Sequence, residues 1–174
     1  VRRGTFLGRA AAAAASVLVA APRPRPAAAA DTTRLKTGYE GIEYLLANWD
    51  KETFKSCPVE QVALAAECER LPDKIPTALG LRSTTAPLYK VEKIFTEALQ
   101  AGSVDDIDAW TEATDKYIQH STSAQEYAYT ASFGEYNPSG GKDQVAKYMH
   151  LSRTELKLAR DARKDVLTHH GCEV

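Results

Sequence analysis

The stretch Ser132-Phe-Gly-Glu-Tyr-Asn-Pro-Ser-Gly-Gly-Lys-Asp143 decides how this chain folds. Three glycines and a proline in twelve residues make a continuous helix costly, at about 1 kcal/mol per glycine and about 3 kcal/mol for the proline. The two longest helical patterns of the chain lie on either side. Two long helices joined by a short breaker-rich loop must run antiparallel, so the stretch reads as a hinge.

The pattern before the hinge begins near Ser103. Asp105, Asp106 and Asp108 crowd its first turn, where carboxylates favour the positive end of the helix dipole. Its apolar stripe is Ile107, Trp110, Thr114, Tyr117, Ile118, Ser121, Ala124, Ala128 and Ala131, sustained to Phe133. That predicts a helix of about 29 residues and about 43 Å. Small residues line its second half, which lets another backbone approach closely. After the hinge, Lys142 to His169 predicts a helix of similar length with Val145, Tyr148, Met149, Ser152, Leu156, Ala159 and Val166 inward.

Shorter patterns precede these. After a loose lead-in over 31–37, Gly38-Tyr-Glu-Gly41 opens a helix whose Ile42, Leu45, Leu46 and Trp49 form one stripe. A second helix, capped by Thr84 or Thr85 with Pro87 in its first turn, carries Leu88, Val91, Phe95, Ala98 and Leu99 and ends at Gly102. Between the two, Val59–Ala66 behind Pro58 is compatible with a short helix, and Leu71–Leu79 holds a turn or two. No strand alternation is visible. The fold class is therefore all-α, an up-and-down four-helix bundle with one or two extra short helices before the second long one, occupying 31–174 as a single domain.

Residues 1–30 differ from all that follows, with five arginines, no acidic residue and an alanine run. Arg2-Arg3 followed by Phe6-Leu7, a weakly apolar run from Ala10 to Ala21, and Ala28-Ala-Ala30 before Asp31 read as a twin-arginine targeting leader cleaved near Asp31, with a disordered Ala/Pro-rich tail as the other reading. The apolar run of about 12 residues is short of the roughly 20 needed to span a bilayer. Without the leader's arginines, 17 basic residues face 23 acidic ones, a formal charge of −6 that argues against nucleic acid as a partner.

Catalytic constellations are thin. There is no Cys-x-x-Cys-His for haem attachment, no paired Glu-x-x-His for a di-iron centre and no phosphate loop, so an enzyme is not expected, nor a bound cofactor or metal. His169, His170 and Cys172 offer soft-metal ligands at the carboxyl terminus, and the alternative function is an exported helical metal- or small-ligand-binding protein that uses them. Cys57 and Cys68 are a candidate disulfide, with two buried thiols as the other reading. A straight helix between them would hold their Cα atoms about 16 Å apart, beyond the roughly 7 Å a bridge tolerates, so bridging needs the chain to fold back.

Two surfaces stand out as partner contacts. Arg153, Lys157, Arg160 and Lys164 fall on one side of the last helix, either as a solvated face or as a docking face for acidic partners, with Leu151, Leu158 and Ala162 forming an apolar ridge nearby. Tyr127, Tyr129, Phe133 and Tyr136 cluster at the hinge beside Lys142, either closing the end of the bundle or anchoring an interface.

Four motifs in order resemble one family. Gly38-Tyr39-Glu40-Gly41-x-x-Tyr44-Leu45-Leu46, Cys68-Glu69-Arg70-x-Pro72, Pro87-Leu88-Tyr89-Lys90-x-Glu92-Lys93 and Gly134-Glu135-x-Asn137-Pro138-x-Gly140-Gly141-Lys142-Asp143 resemble the PsbQ-like extrinsic subunits of photosystem II in diatoms and related red-lineage algae. The likeness runs from about Gly38 to Val166. It implies a non-catalytic four-helix bundle in the chloroplast thylakoid lumen, peripheral to the membrane and not spanning it. Its implied partners are photosystem II core subunits and other extrinsic subunits, and its implied role is to stabilise the oxygen-evolving complex and help retain calcium and chloride.

Overall fold

The computed structural model describes residues 26–56, 68–137 and 141–170. Over these the chain is mostly helical, with six helices and one small hairpin. Helix α1 spans Pro26–Ala47 and α2 spans Trp49–Thr53; strands β1 (Phe54–Ser56) and β2 (Glu69–Arg70) pair antiparallel. Then follow α3 (Lys74–Ala78), α4 (Val91–Gln100), α5 (Ile107–Tyr136) and α6 (Lys142–His169).

The two long helices stand where the sequence put them. Asp106 caps α5 by accepting the Ala109 amide at 3.0 Å, satisfying one of the free donors of the first turn. Between α5 and α6, His120 meets Glu155, the Ser152 hydroxyl donates to the Ala124 carbonyl at 2.7 Å, Tyr127 stacks on Tyr148, and Lys142 meets Glu135. Partner numbers fall on α6 as they rise on α5, so the pair is antiparallel. Helix α1 is antiparallel to α6 by the same logic, with Thr32 near His170, Leu35 near Arg163 and Trp49 under Arg153. Helix α4 inserts Phe95 edge-on between Trp110 and Tyr117, each ring centroid 5.8 Å away.

Several expectations are corrected. The loose lead-in over 31–37 is helical, because Leu35 extends the stripe of Tyr39, Ile42 and Leu46 back one turn and is fully buried. Trp49 is buried as expected, but belongs to α2 after a turn at Asn48. The helix expected from Pro87 starts at Val91, because Lys90 adopts a left-handed φ of 53° and breaks the turns of 87–90 from it. The β1–β2 hairpin was not foreseen, since two- and three-residue strands carry no alternation to read. The possible helix at Val59–Ala66 lies outside the described residues, as does most of the leader.

The hinge is shorter than predicted. Helix α5 runs through Gly134 to Tyr136, and the backbone is extended at Asn137 and Gly141. Gly134 serves close packing rather than chain reversal, because a Cβ there would stand 2.7 Å from Val145 Cγ2 of α6. Ile107 and Phe133, expected inward, are both 63% exposed. Trp110 already packs at the level of His170, so Ile107 overhangs the α6 end. At the other end the Ala124, Ala128, Ala131 spacing continues to Glu135 rather than Phe133. On α6, Tyr148 is only partly buried and the Leu151, Leu158, Ala162 ridge divides, Ala162 inward and Leu158 outward.

One core group titrates at the alkaline edge. Tyr39 is buried and donates to Glu43 Oε1 at 2.8 Å; burial first, then that carboxylate, pushes its pKa up to about 12. A folded-state pKa above the usual 10 means this contribution is present below pH 10 and lost as pH rises toward about 12. Denaturant titrations between pH 9 and 12 should show a steeper stability loss for wild type than for Tyr39→Phe.

Candidate docking surface

The last three turns of α5 set the geometry. Tyr129, Phe133 and Tyr136 recur at i, i+4 and i+7, so they share one face, and each is more than 60% exposed. Tyr129 and Phe133 pack edge to face at 5.2 Å, which presents a pre-ordered aromatic pair to solvent. A groove of about 430 Å³ beside them is lined by Ser132, Phe133, Tyr136 and Asn137. The Tyr136 hydroxyl reaches Asp73 Oδ2 at 3.4 Å, and Asp73 is held by Arg82 at 2.6 Å. Partial burial of the phenol, and then Asp73, hold the Tyr136 pKa above its ordinary value. The tip is thereby tied to the start of α3.

Directly behind this face the helix turns Glu135 inward. Its side chain is 1% exposed and its Oε1 is 2.5 Å from Lys142 Nζ, while Oε2 has no hydrogen-bond partner. Lys142 therefore neutralises a buried carboxylate at the α5–α6 junction. This role was not visible in the sequence, where Lys142 reads simply as a surface cation.

The predicted basic stripe on α6 is divided by the fold. The Arg153 guanidinium lies 5.2 Å from the Trp49 ring centroid, covering the α1–α2 junction. Arg160 pairs with Asp161 at 2.6 Å. Lys157 and Lys164 are exposed. Two of the four cations thus have intramolecular work, which leaves the aromatic tip as the more open of the two candidate surfaces.

His170 lies 5.7 Å from the Trp110 ring, with Nδ1 3.3 Å from the Thr32 hydroxyl; Cys172 and Glu173 lie outside the described residues. Among the described residues no group of three or more His, Cys, Asp or Glu side chains is gathered as a metal site, and no helix is long and apolar enough to cross a membrane.

Cys68 is buried and disulfide-bonded. Cys57 lies outside the described residues, but Ser56 and Glu69, the chain neighbours of the two cysteines, are paired across β1–β2. Arg70 adds to the hairpin by placing its guanidinium 3.4 Å over the Phe54 ring. Non-reducing peptide mapping is expected to recover a Cys57–Cys68 link. Recovery of Cys68 joined to Cys172 would refute that pairing.

One cation escaped sequence reading altogether. Arg163 of α6 is fully buried, and its Nε and Nη2 donate to the Leu35 carbonyl at 3.4 and 3.3 Å. Its guanidinium stands 4.8 Å from the Tyr117 centroid and 5.6 Å from that of Phe95, while Nη1 has no partner. Burial lowers its pKa to about 10. The only signal in the sequence was its place between Ala159, Ala162 and Val166, on the inward side of the helix.

No protein-family model, curated protein or solved structure is detectably similar to this chain.

Proposed function

We propose that this chain is a non-catalytic extrinsic subunit of photosystem II, of the PsbQ-like type, acting on the lumenal side of the thylakoid membrane without a cofactor of its own. In this reading α1, α4, α5 and α6 form an up-and-down four-helix bundle, and α2, α3 and the hairpin fill the connection between its first two members. The bundle stabilises the oxygen-evolving complex and supports calcium and chloride retention through its contacts with core and other extrinsic subunits.

The observation that supports docking most directly is the exposed Tyr129, Phe133 and Tyr136 face beside its groove. Large aromatics held rigidly on a helix are what interface hot spots are made of, because they bury much area at little entropic cost. Lys157 and Lys164 supply a screened electrostatic component. Photosystem II particles from the source should therefore contain the chain, release it in high salt and rebind it at low salt. Phe133→Ala with Tyr136→Ala should leave the helical circular dichroism unchanged and weaken rebinding by about ten-fold or more. Unchanged rebinding removes the tip from the interface; absence of the chain from the particles refutes the function.

A further inference from the structure

We propose that the outward ridge of α5 receives a basic amphipathic helix from a partner protein. The proposal rests on the reading of the aromatic face as an interface, and names the chemistry of what docks there.

The spacing of the ridge selects a helix. Thr122, Glu126, Tyr129, Phe133 and Tyr136 follow one another at intervals of four, three, four and three residues, and all five are exposed. Alternating intervals of this kind keep one line on the surface of a helix, the seam along which a second helix packs. Helix α6 meets other sides of α5, at Ala124 and Tyr127, and α4 sends Phe95 between Trp110 and Tyr117. On the flank of the ridge Leu81 is 51% exposed and shares a cleft with Ile118, Thr122 and Gln125, which carries the apolar strip from the aromatic tip toward the middle of α5.

Charge selects a basic helix. Lys116 is the single lysine of α5, and Glu112 holds it; Glu135 holds Lys142, and Asp108 lies in the first turn, where the helix dipole favours it. Asp115 and Glu126 remain. Both stand exposed in the middle turns with no ion pair among the described residues, and Asp115 falls on the same line as Thr122, one heptad earlier. Along the axis Glu126 is about 8 Å and Asp115 about 24 Å from the middle of the Tyr129–Phe133 pair. Glu92 of α4 adds a third carboxylate where it lines the cleft with Thr122. Arg82 and Lys55, beside the tip, are already bound to Asp73 and Glu69.

An uncharged apolar helix lying here would desolvate these carboxylates without compensation, and an anionic membrane surface would be repelled by them. A helix whose apolar side chains cover the aromatic pair, and whose lysines or arginines reach Glu126 and Asp115, meets both requirements.

The test titrates the full chain with an amphipathic leucine–lysine peptide of about five helical turns, and with the same peptide carrying glutamate for lysine. The lysine peptide should bind about ten-fold more tightly or better. Asp115→Asn with Glu126→Gln should remove most of that difference, and Phe133→Ala with Tyr136→Ala should weaken the lysine peptide by about ten-fold, each with unchanged helical circular dichroism. No binding of the lysine peptide, equal binding of the two peptides, or binding left unchanged by either pair of substitutions overturns the proposal. Sedimentation of the chain alone tests the other occupant: dimers abolished by Phe133→Ala with Tyr136→Ala give the ridge to a second copy and overturn it as well. Rebinding to stripped photosystem II particles is scored separately. Its failure for wild type refutes the proposed function, while the peptide titration still decides the ridge.

Discussion

Gly38→Ala is expected to destabilise the protein by about 3 kcal/mol, lowering Tm by roughly 10 °C for a chain of this size. A Cβ on residue 38 would stand 2.0 Å from Leu88 Cδ2, 2.4 Å from Cγ and 2.9 Å from Cδ1. The whole end of the leucine collides, so a rotamer change alone gives little relief. Nor does the leucine have room to retreat: it is buried, and its backbone is pressed against Gly80, whose own added Cβ would meet the Leu88 carbonyl carbon at 2.6 Å. Leu88 is thus wedged between two glycines, and this wedge joins α1 to the segment leading into α4. Gly41→Ala is the matched control, since nothing lies within 4 Å of its would-be Cβ. That change should stabilise α1 by up to about 1 kcal/mol through helix propensity. Leu88→Ala in the Gly38→Ala background should recover part of the loss, giving a favourable coupling in a double-mutant cycle. Equal effects of alanine at 38 and 41 would show that the wedge does not exist.

Arg163 carries the second large effect, and its sign depends on what replaces it. Arg163→Ala should cost about 3 kcal/mol, because truncating a fully buried side chain of that size leaves a cavity among Leu35, Phe95 and Tyr117. Arg163→Met should leave stability unchanged or raise it by about 1–4 kcal/mol. Methionine keeps much of the apolar volume, and the charge it removes has no carboxylate partner among the ion pairs of the described residues. The guanidinium is compensated only by two long hydrogen bonds to one carbonyl and by two aromatic faces, and the depressed pKa is the mark of that incomplete compensation. Urea midpoints at constant m-value measure both variants. A methionine variant as unstable as the alanine one would mean that the carbonyl and ring contacts outweigh the cost of desolvation.

Much of the fold was legible because long helices announce themselves. The α6 limits, Lys142 and His169, follow from a sustained apolar period bounded by glycines, and Trp110, Tyr117, Ala124, Ala128 and Ala131 were readable as a core stripe. Short elements were not. The hairpin is too brief for periodicity, and the start of α1 is disguised by threonines, arginine and lysine around the single buried Leu35. Of the candidate contacts, Phe133 and Tyr136 are exposed, and Phe133 does not end the core stripe as its spacing predicts. Lys142 and Arg153 have partners on other elements that no linear pattern discloses, whereas Arg160 pairs with its sequence neighbour Asp161.

What the sequence by itself determined is the order and type of the long elements, since a helix needs only local hydrogen bonds and a periodic apolar face. Tertiary structure alone decided which polar groups are consumed inside. Glu135 and Arg163 look like ordinary surface charges until a second helix buries them, and Gly38 and Gly134 look like helix breakers until Leu88 and Val145 fill the space their missing side chains leave. Each of these facts concerns two residues on different segments of the chain, and their meeting depends on how helices pack rather than on how each one forms.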